Sequence, residues 1–137
     1  MTRIVLPSVL ALAALGCASP IEQRLPLQLL PENSPPLPYS ELLTRARLQA
    51  SAATEAFYMN RWADLEDSAR GSLQTARFLR KATEVPATHR DKLVAEADAL
   101  EADAQKLLDA AKAHDVNATT AVMQRINLQV RELRLDR

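Results

Sequence analysis

The side chains able to do chemistry in this chain are few and scattered. There is one cysteine, Cys17, and there are two histidines, His89 and His114. A single cysteine excludes an internal disulfide and a cysteine-based zinc knuckle. The histidines fall at opposite ends of one predicted helix, about 38 Å apart by the helical rise. They cannot share a metal ion within a subunit, and each reads as a solvated histidine at a helix end. No glutamate is followed three residues later by histidine, so the Glu-x-x-His pair of a di-iron bundle is missing. There is no His-Glu-x-x-His and no Gly-x-Ser-x-Gly elbow, and two glycines cannot build a phosphate loop. Glu96, Glu101 and Asp103 interleave with an Ala and Leu stripe and read as its solvated flank. One constellation remains. In an up-and-down bundle Tyr58, Met59, Trp62, His114 and Asp115 share a pole, and the Met59 thioether with the His114 imidazole is a candidate copper pair. The competing account has Phe57 and Trp62 capping the core there. No catalytic residue is assigned, no cofactor is expected, and the chain reads as a non-enzyme.

Composition dictates what positions these residues. Lys plus Arg is 17, equal to Asp plus Glu, and the sequence pI is near 6.7. That balance excludes a protein built on phosphate electrostatics, so no nucleic-acid partner is expected. With two glycines and 4% aromatics, an all-β sandwich or barrel is excluded too. Ala and Leu dominate the 47% hydrophobic content, and both are strong helix formers.

Four amphipathic segments follow Tyr39. In the first, Ser40 is the expected N-cap and Glu41 suits the positive end of the dipole. Leu42, Leu43, Ala46, Ala50, Ala53 and Phe57 recur at helical spacing, to about Met59. Asn60 is the expected cap of the second, striped by Trp62, Leu65, Ala69, Leu73, Ala76 and Leu79 and ending ahead of Pro86. Gly71 lies inside it at a cost of ~1 kcal/mol relative to Ala, marking either a close neighbour or a bend. The third opens at Thr88, with Asp91 as a capping-box variant. Leu93, Ala97, Leu100, Ala104, Leu107 and Ala111 step alternately by four and three, predicting a helix to about Ala113, near 39 Å long. Asp115 caps the fourth, with Val116, Thr119, Val122, Ile126, Val130 and Leu133 as its stripe. Short connections force antiparallel neighbours. The predicted fold is all-α: an up-and-down antiparallel four-helix bundle over residues 40–137. The alternative is a three-helix bundle with a long, bent first helix.

Residues 17–39 hold six of the eight prolines and form a predicted extended tether, at ~3 Å per residue. Leu25, Leu27, Leu29 and Leu30 are more than a solvated linker needs, and packing along the bundle is the expected reason. Residues 1–16 read as a signal peptide. Arg3 precedes an uncharged stretch, Ile4 to Leu15, too short for the ~20 residues that span a bilayer. The stretch ends in Ala14-Leu15-Gly16-Cys17, which resembles the lipobox of bacterial lipoproteins. Ala14 stands where Leu is commonest. The resemblance implies lipid attachment at Cys17, which becomes the first residue of the mature chain, and membrane contact through that lipid. Ala18, not Asp, follows, which by resemblance to Gram-negative lipoproteins implies the outer membrane, facing the periplasm.

The run Leu93…Leu100…Leu107-Leu108-Asp109-Ala110-Ala111…Asp115…Val122…Ile126, with Phe57, Trp62, Leu65, Ala69 and Leu73 before it, is similar to cytochrome c′-type bundles over about 80 residues. Those carry Cys-x-x-Cys-His on the last helix. Asn127-Leu128-Gln129-Val130-Arg131 stands in that place here, with no cysteine or histidine, so the resemblance implies a bundle without covalent haem.

The functional expectation is a lipid-anchored cell-envelope protein whose non-catalytic bundle binds a protein partner or serves structurally. The alternative is a haem-less cytochrome c′-like bundle that binds a metal ion or small ligand in the periplasm. Arg125, Arg131, Arg134 and Arg137 form a basic ladder suited to an acidic partner or lipid headgroups, or a solvated face. The terminal residue is Arg137, not the lysine by which the small murein-linked lipoprotein is attached.

Overall fold

The apolar stripes are met by four helices in a computed structural model that describes residues 28–135. The helices are α1 (Tyr39–Tyr58), α2 (Trp62–Leu79), α3 (Leu93–Lys112) and α4 (Val116–Glu132). Each packs on its chain neighbour, and α1 closes the ring against α4, giving the antiparallel four-helix bundle. Two helices separated by residues 59–61 replace the alternative of one bent first helix. The core is Leu42 and Leu43 of α1, Leu65 and Leu79 of α2, Leu100 and Leu107 of α3, and Val122 and Ile126 of α4. Small partners such as Ala69, Ala76, Ala97, Ala104 and Ala111 lie between them, so large and small side chains interdigitate at helix crossings.

Both tight connections are built the same way. Ahead of α2, Asn60 N–H donates to the Phe57 carbonyl and Arg61 N–H to the Ala56 carbonyl. Ahead of α4, His114 N–H donates to Ala111 and Asp115 N–H to Ala110. This is the Schellman pattern, which uses up the last carbonyls of a helix and needs a left-handed residue. In a glycine-poor chain that position falls on Asn60 (φ 55°) and His114 (φ 52°), two residue types enriched in the left-handed region. Asn60 therefore terminates α1; the expectation that it caps α2 is corrected, and Arg61 stands at that N-cap. Asp115 caps α4 as expected, its Oδ1 accepting from Ala118 N–H at 2.9 Å.

Two other helix starts move. α1 begins at Tyr39 with Pro38 at the cap, so Ser40 lies in the first turn. The reason is tertiary: Tyr39 N–H donates to the Thr83 carbonyl at 2.8 Å, which replaces a side-chain cap. α3 begins at Leu93, not Thr88, because residues 87–92 make turns that bring His89 inward. Its 20 residues span about 30 Å, shorter than the expected helix.

Residues 28–38 do not stand away from the bundle. Leu30 N–H donates to Gln74 Oε1 (2.7 Å) and Gln74 Nε2 donates to the Leu30 carbonyl (2.6 Å), so one side-chain amide holds the backbone from both sides. Thr83 N–H donates to the Leu37 carbonyl. Leu30 and Leu37 pack against the core, whereas Leu29 is exposed. Leu25 and Leu27 lie outside the described residues, as does the whole segment 1–27 with Cys17.

Gly71 marks a close approach. A Cβ there would lie 2.8 Å from Gln49 Nε2. Gln49 is buried in the α1–α2 seam, and its Oε1 accepts from Thr75 Oγ1 at 2.8 Å.

Candidate functional site

At the pole formed by the ends of α1 and α3 and the starts of α2 and α4, the expected residues do converge. The Trp62 and His114 rings stack with centroids 4.8 Å apart and planes 10° from parallel. Phe57 meets Trp62 edge to face at 6.0 Å, and Trp62 Nε1 donates to Asn60 Oδ1 at 2.9 Å. The Trp62 indole is thus held on three sides and, with Phe57, packs half-buried against the core at this end. Met59 is 65% exposed and Tyr58 79% exposed. Val116, placed on the inward stripe by its spacing, is also exposed here because it is the first residue of α4. Among the described residues, no group of three or more His, Cys, Asp or Glu side chains is arranged to hold a metal ion.

The other histidine departs from expectation. His89 is 3% exposed, not solvated. Its ring stacks on Tyr39 of α1 at 5.4 Å. Nδ1 lies 3.0 and 3.2 Å from the Glu96 carboxylate oxygens, and Nε2 accepts from Arg134 N–H at 3.3 Å. One imidazole therefore ties α1, α3 and the segment after α4 together, with Nδ1 as donor and Nε2 as acceptor. Lys92 Nζ reaches the same carboxylate at 3.3 Å. The sequence carried a signal for this: His89 lies four residues before Leu93, continuing the α3 stripe one step upstream.

The solvated reading of Glu96, Glu101 and Asp103 is corrected as well. Glu96 and Glu101 are half-buried, and Asp103 is 6% exposed between α3 and α4. Asp103 Oδ1 accepts from Arg125 Nε at 3.1 Å and its Oδ2 from Gln129 Nε2 at 2.8 Å. Asp103 sits three residues after Leu100 and four before Leu107, on the edge of the apolar stripe. A carboxylate there persists because its charge is met by a cation and its lone pairs by amide donors.

Between α2 and α3, Arg80 hydrogen-bonds both Asp98 and Glu101, and Arg77 Nε donates to Glu101 at 3.2 Å. Hydrogen bonding to Arg80, seconded by Arg77, holds the Glu101 carboxyl below the usual carboxylate range against the opposing effect of burial. The hydrogen bonds to Asp98 and then Glu101 push the Arg80 guanidinium up.

The expected basic ladder divides. Arg125 is committed to Asp103, and Arg134 Nε donates to the Arg131 carbonyl. Arg131 lines an open groove between α1 and α4, about 670 Å³, with Arg47 and Glu55 on the facing helix. Arg137 lies outside the described residues. Most charged side chains thus serve the bundle itself, and in the groove the lining acid, Glu55, pairs with Arg61 while Arg47 and Arg131 line the same space. No helix among the described residues is long and apolar enough to cross a membrane. Comparison with protein-family models, curated proteins and solved structures finds no match to this chain.

Proposed function

We propose that this chain is a lipid-anchored protein of the cell envelope, attached through Cys17, whose helical bundle acts without catalysis as a structural or protein-binding module. The observation that carries the reading is the N-terminal pattern. Arg3, an uncharged stretch from Ile4 to Leu15, and Gly16-Cys17 stand in order, and the cysteine is the chain's single one. Buried acyl chains contribute about 0.8 kcal/mol per methylene, so two or three chains hold a domain at a membrane without a spanning helix. Removing residues 1–16 takes away Arg3 alone among the charges and leaves a net charge of −1. By resemblance, Ala18 after the cysteine favours the outer membrane, with the bundle facing the periplasm.

The bundle supports a non-catalytic role through what its ionisable groups do. Asp103 is held by Arg125, Glu101 by Arg80, and His89 by Glu96 and Arg134 N–H. Each of these contacts joins two elements of the fold. Fractionation of cells expressing the parent and Cys17→Ser tests the anchoring. The parent is expected in the membrane fraction and the variant outside it; a variant that stays in the membrane fraction at parental levels refutes the reading.

A further inference from the structure

Resting on the protein-binding reading, we infer that the groove between α1 and α4 is the docking seam for an acidic amphipathic helix of a partner protein. The first observation concerns how the arginines are used. Arg45, Arg61, Arg70, Arg77, Arg80 and Arg125 each reach a carboxylate of this chain. Arg90 donates to the Val85 carbonyl, and Arg134 reaches Glu132 and the Arg131 carbonyl. Arg47 and Arg131 are the described arginines whose guanidinium groups meet no acceptor among the described residues, and both line this one groove from facing helices.

The second observation is that, among the described residues, the acid lining the groove already has a partner. Glu55, the acid in the same groove, pairs with Arg61 at 3.3 Å, and Glu41 pairs with Arg45. Two like charges on opposite walls of a shared groove repel, and an anion from outside relieves the repulsion. Each guanidinium presents five donors in a planar fork that fits a carboxylate in two-point contact.

Shape selects a helix. The groove runs between two antiparallel helices, and its α1 wall carries the small side chains Ala50, Ser51 and Thr54, which let another backbone come close. Val130 gives an apolar floor from α4. Ala50 on the α1 wall adds to that apolar floor. A helix laid along it seats its apolar face on Ala50 and Val130 and brings glutamates or aspartates, one or two turns apart, to Arg47 and Arg131.

The test uses the full chain in neutral-detergent micelles and three probes. One is a synthetic helical peptide of leucine and glutamate at amphipathic spacing. The second is its twin with lysine for glutamate, and the third is phosphatidylglycerol nanodiscs. The acidic peptide is expected to shift the Arg47 and Arg131 Nε–H NMR signals, and the lysine twin is not. Arg47→Gln with Arg131→Gln is expected to weaken peptide binding about tenfold or more. Both residues are exposed, so helix content by circular dichroism stays at the parental value. The inference is overturned if the two peptides bind alike or neither binds. It is also overturned if the nanodiscs shift these signals and the peptide does not, since the groove then reads lipid headgroups. Self-association of the chain that the double variant abolishes overturns it too, by making a second copy the occupant. Lipid at Cys17 is scored separately by fractionation, so loss of the groove inference leaves the anchoring reading standing, and the reverse.

Discussion

Replacing Gly71 by alanine sets helix propensity against packing, and the structure decides the sign. An alanine inside α2 gains about 1 kcal/mol of intrinsic helix preference over glycine. The added Cβ, however, sits 2.8 Å from Gln49 Nε2 and 3.2 Å from its Cδ. Gln49 is 4% exposed and its amide accepts the Thr75 hydroxyl, itself 3% exposed, so the side chain cannot swing into solvent. Moving it overpacks the α1–α2 seam, at about 1–3 kcal/mol. It also strands a buried hydroxyl, at about 1–3 kcal/mol. The net expectation is a loss of about 1–5 kcal/mol for Gly71→Ala, a fall in Tm of about 4–8 °C per kcal/mol for a domain of this size. In a Gln49→Ala background the Cβ meets vacated space and the same change gains up to about 1 kcal/mol. Urea unfolding followed by helix circular dichroism on the four members of the cycle measures both. A stabilising Gly71→Ala in the parent, or an effect that Gln49→Ala leaves unaltered, refutes the packing assigned to this seam.

Three further outcomes follow from the ion pairs and turns. Asp103→Ala leaves Gln129 Nε2 and Arg125 without their acceptor; because the Arg125 side chain is 46% exposed and can turn to water, the expected loss is about 1–2 kcal/mol in urea unfolding, and no loss contradicts the α3–α4 node. Glu101 is held below its ordinary range in the folded state, so its stabilisation is complete above the unfolded value of 4.5 and disappears as pH falls through the lower folded value. The stability difference between parent and Glu101→Gln, under about 1 kcal/mol at neutral pH for so accessible a pair, is therefore expected to shrink progressively as pH is lowered below 4.5, and a difference that stays constant or grows on acidification refutes the assignment. Glu84 stands at φ 54°, where a β-carbon is strained, so Glu84→Gly is expected to raise stability by up to about 1 kcal/mol and Glu84→Val to lower it, read as opposite shifts in Tm.

The periodicity of Leu and Ala made the four helices legible, and the Leu93 to Ala111 stripe is buried residue for residue. The helix starts were less so, because local capping preference competed with tertiary bonds. Ser40 lost to a Thr83 carbonyl distant in sequence, and Asn60 is used for its tolerance of positive φ, a demand set by the Schellman turn. The aromatic pole was legible from topology alone, since antiparallel helices must bring Trp62 and His114 together. The buried polar residues were not. His89 and Asp103 lie on apolar stripes, yet a polar type at such a position reads as solvated until its partners are known, and those partners, Arg134 and Arg125, lie far along the chain. The groove arginines were visible only in part: Arg131 belonged to a ladder on one helix, while pairing it with Arg47 required the α1–α4 contact.

Mass spectrometry of the mature protein recovered from membranes tests the central claim most directly. The account predicts a chain beginning at Cys17, with residues 1–16 gone and the cysteine carrying covalent lipid. A mature chain that begins elsewhere, or one that retains Cys17 as a free thiol, contradicts it.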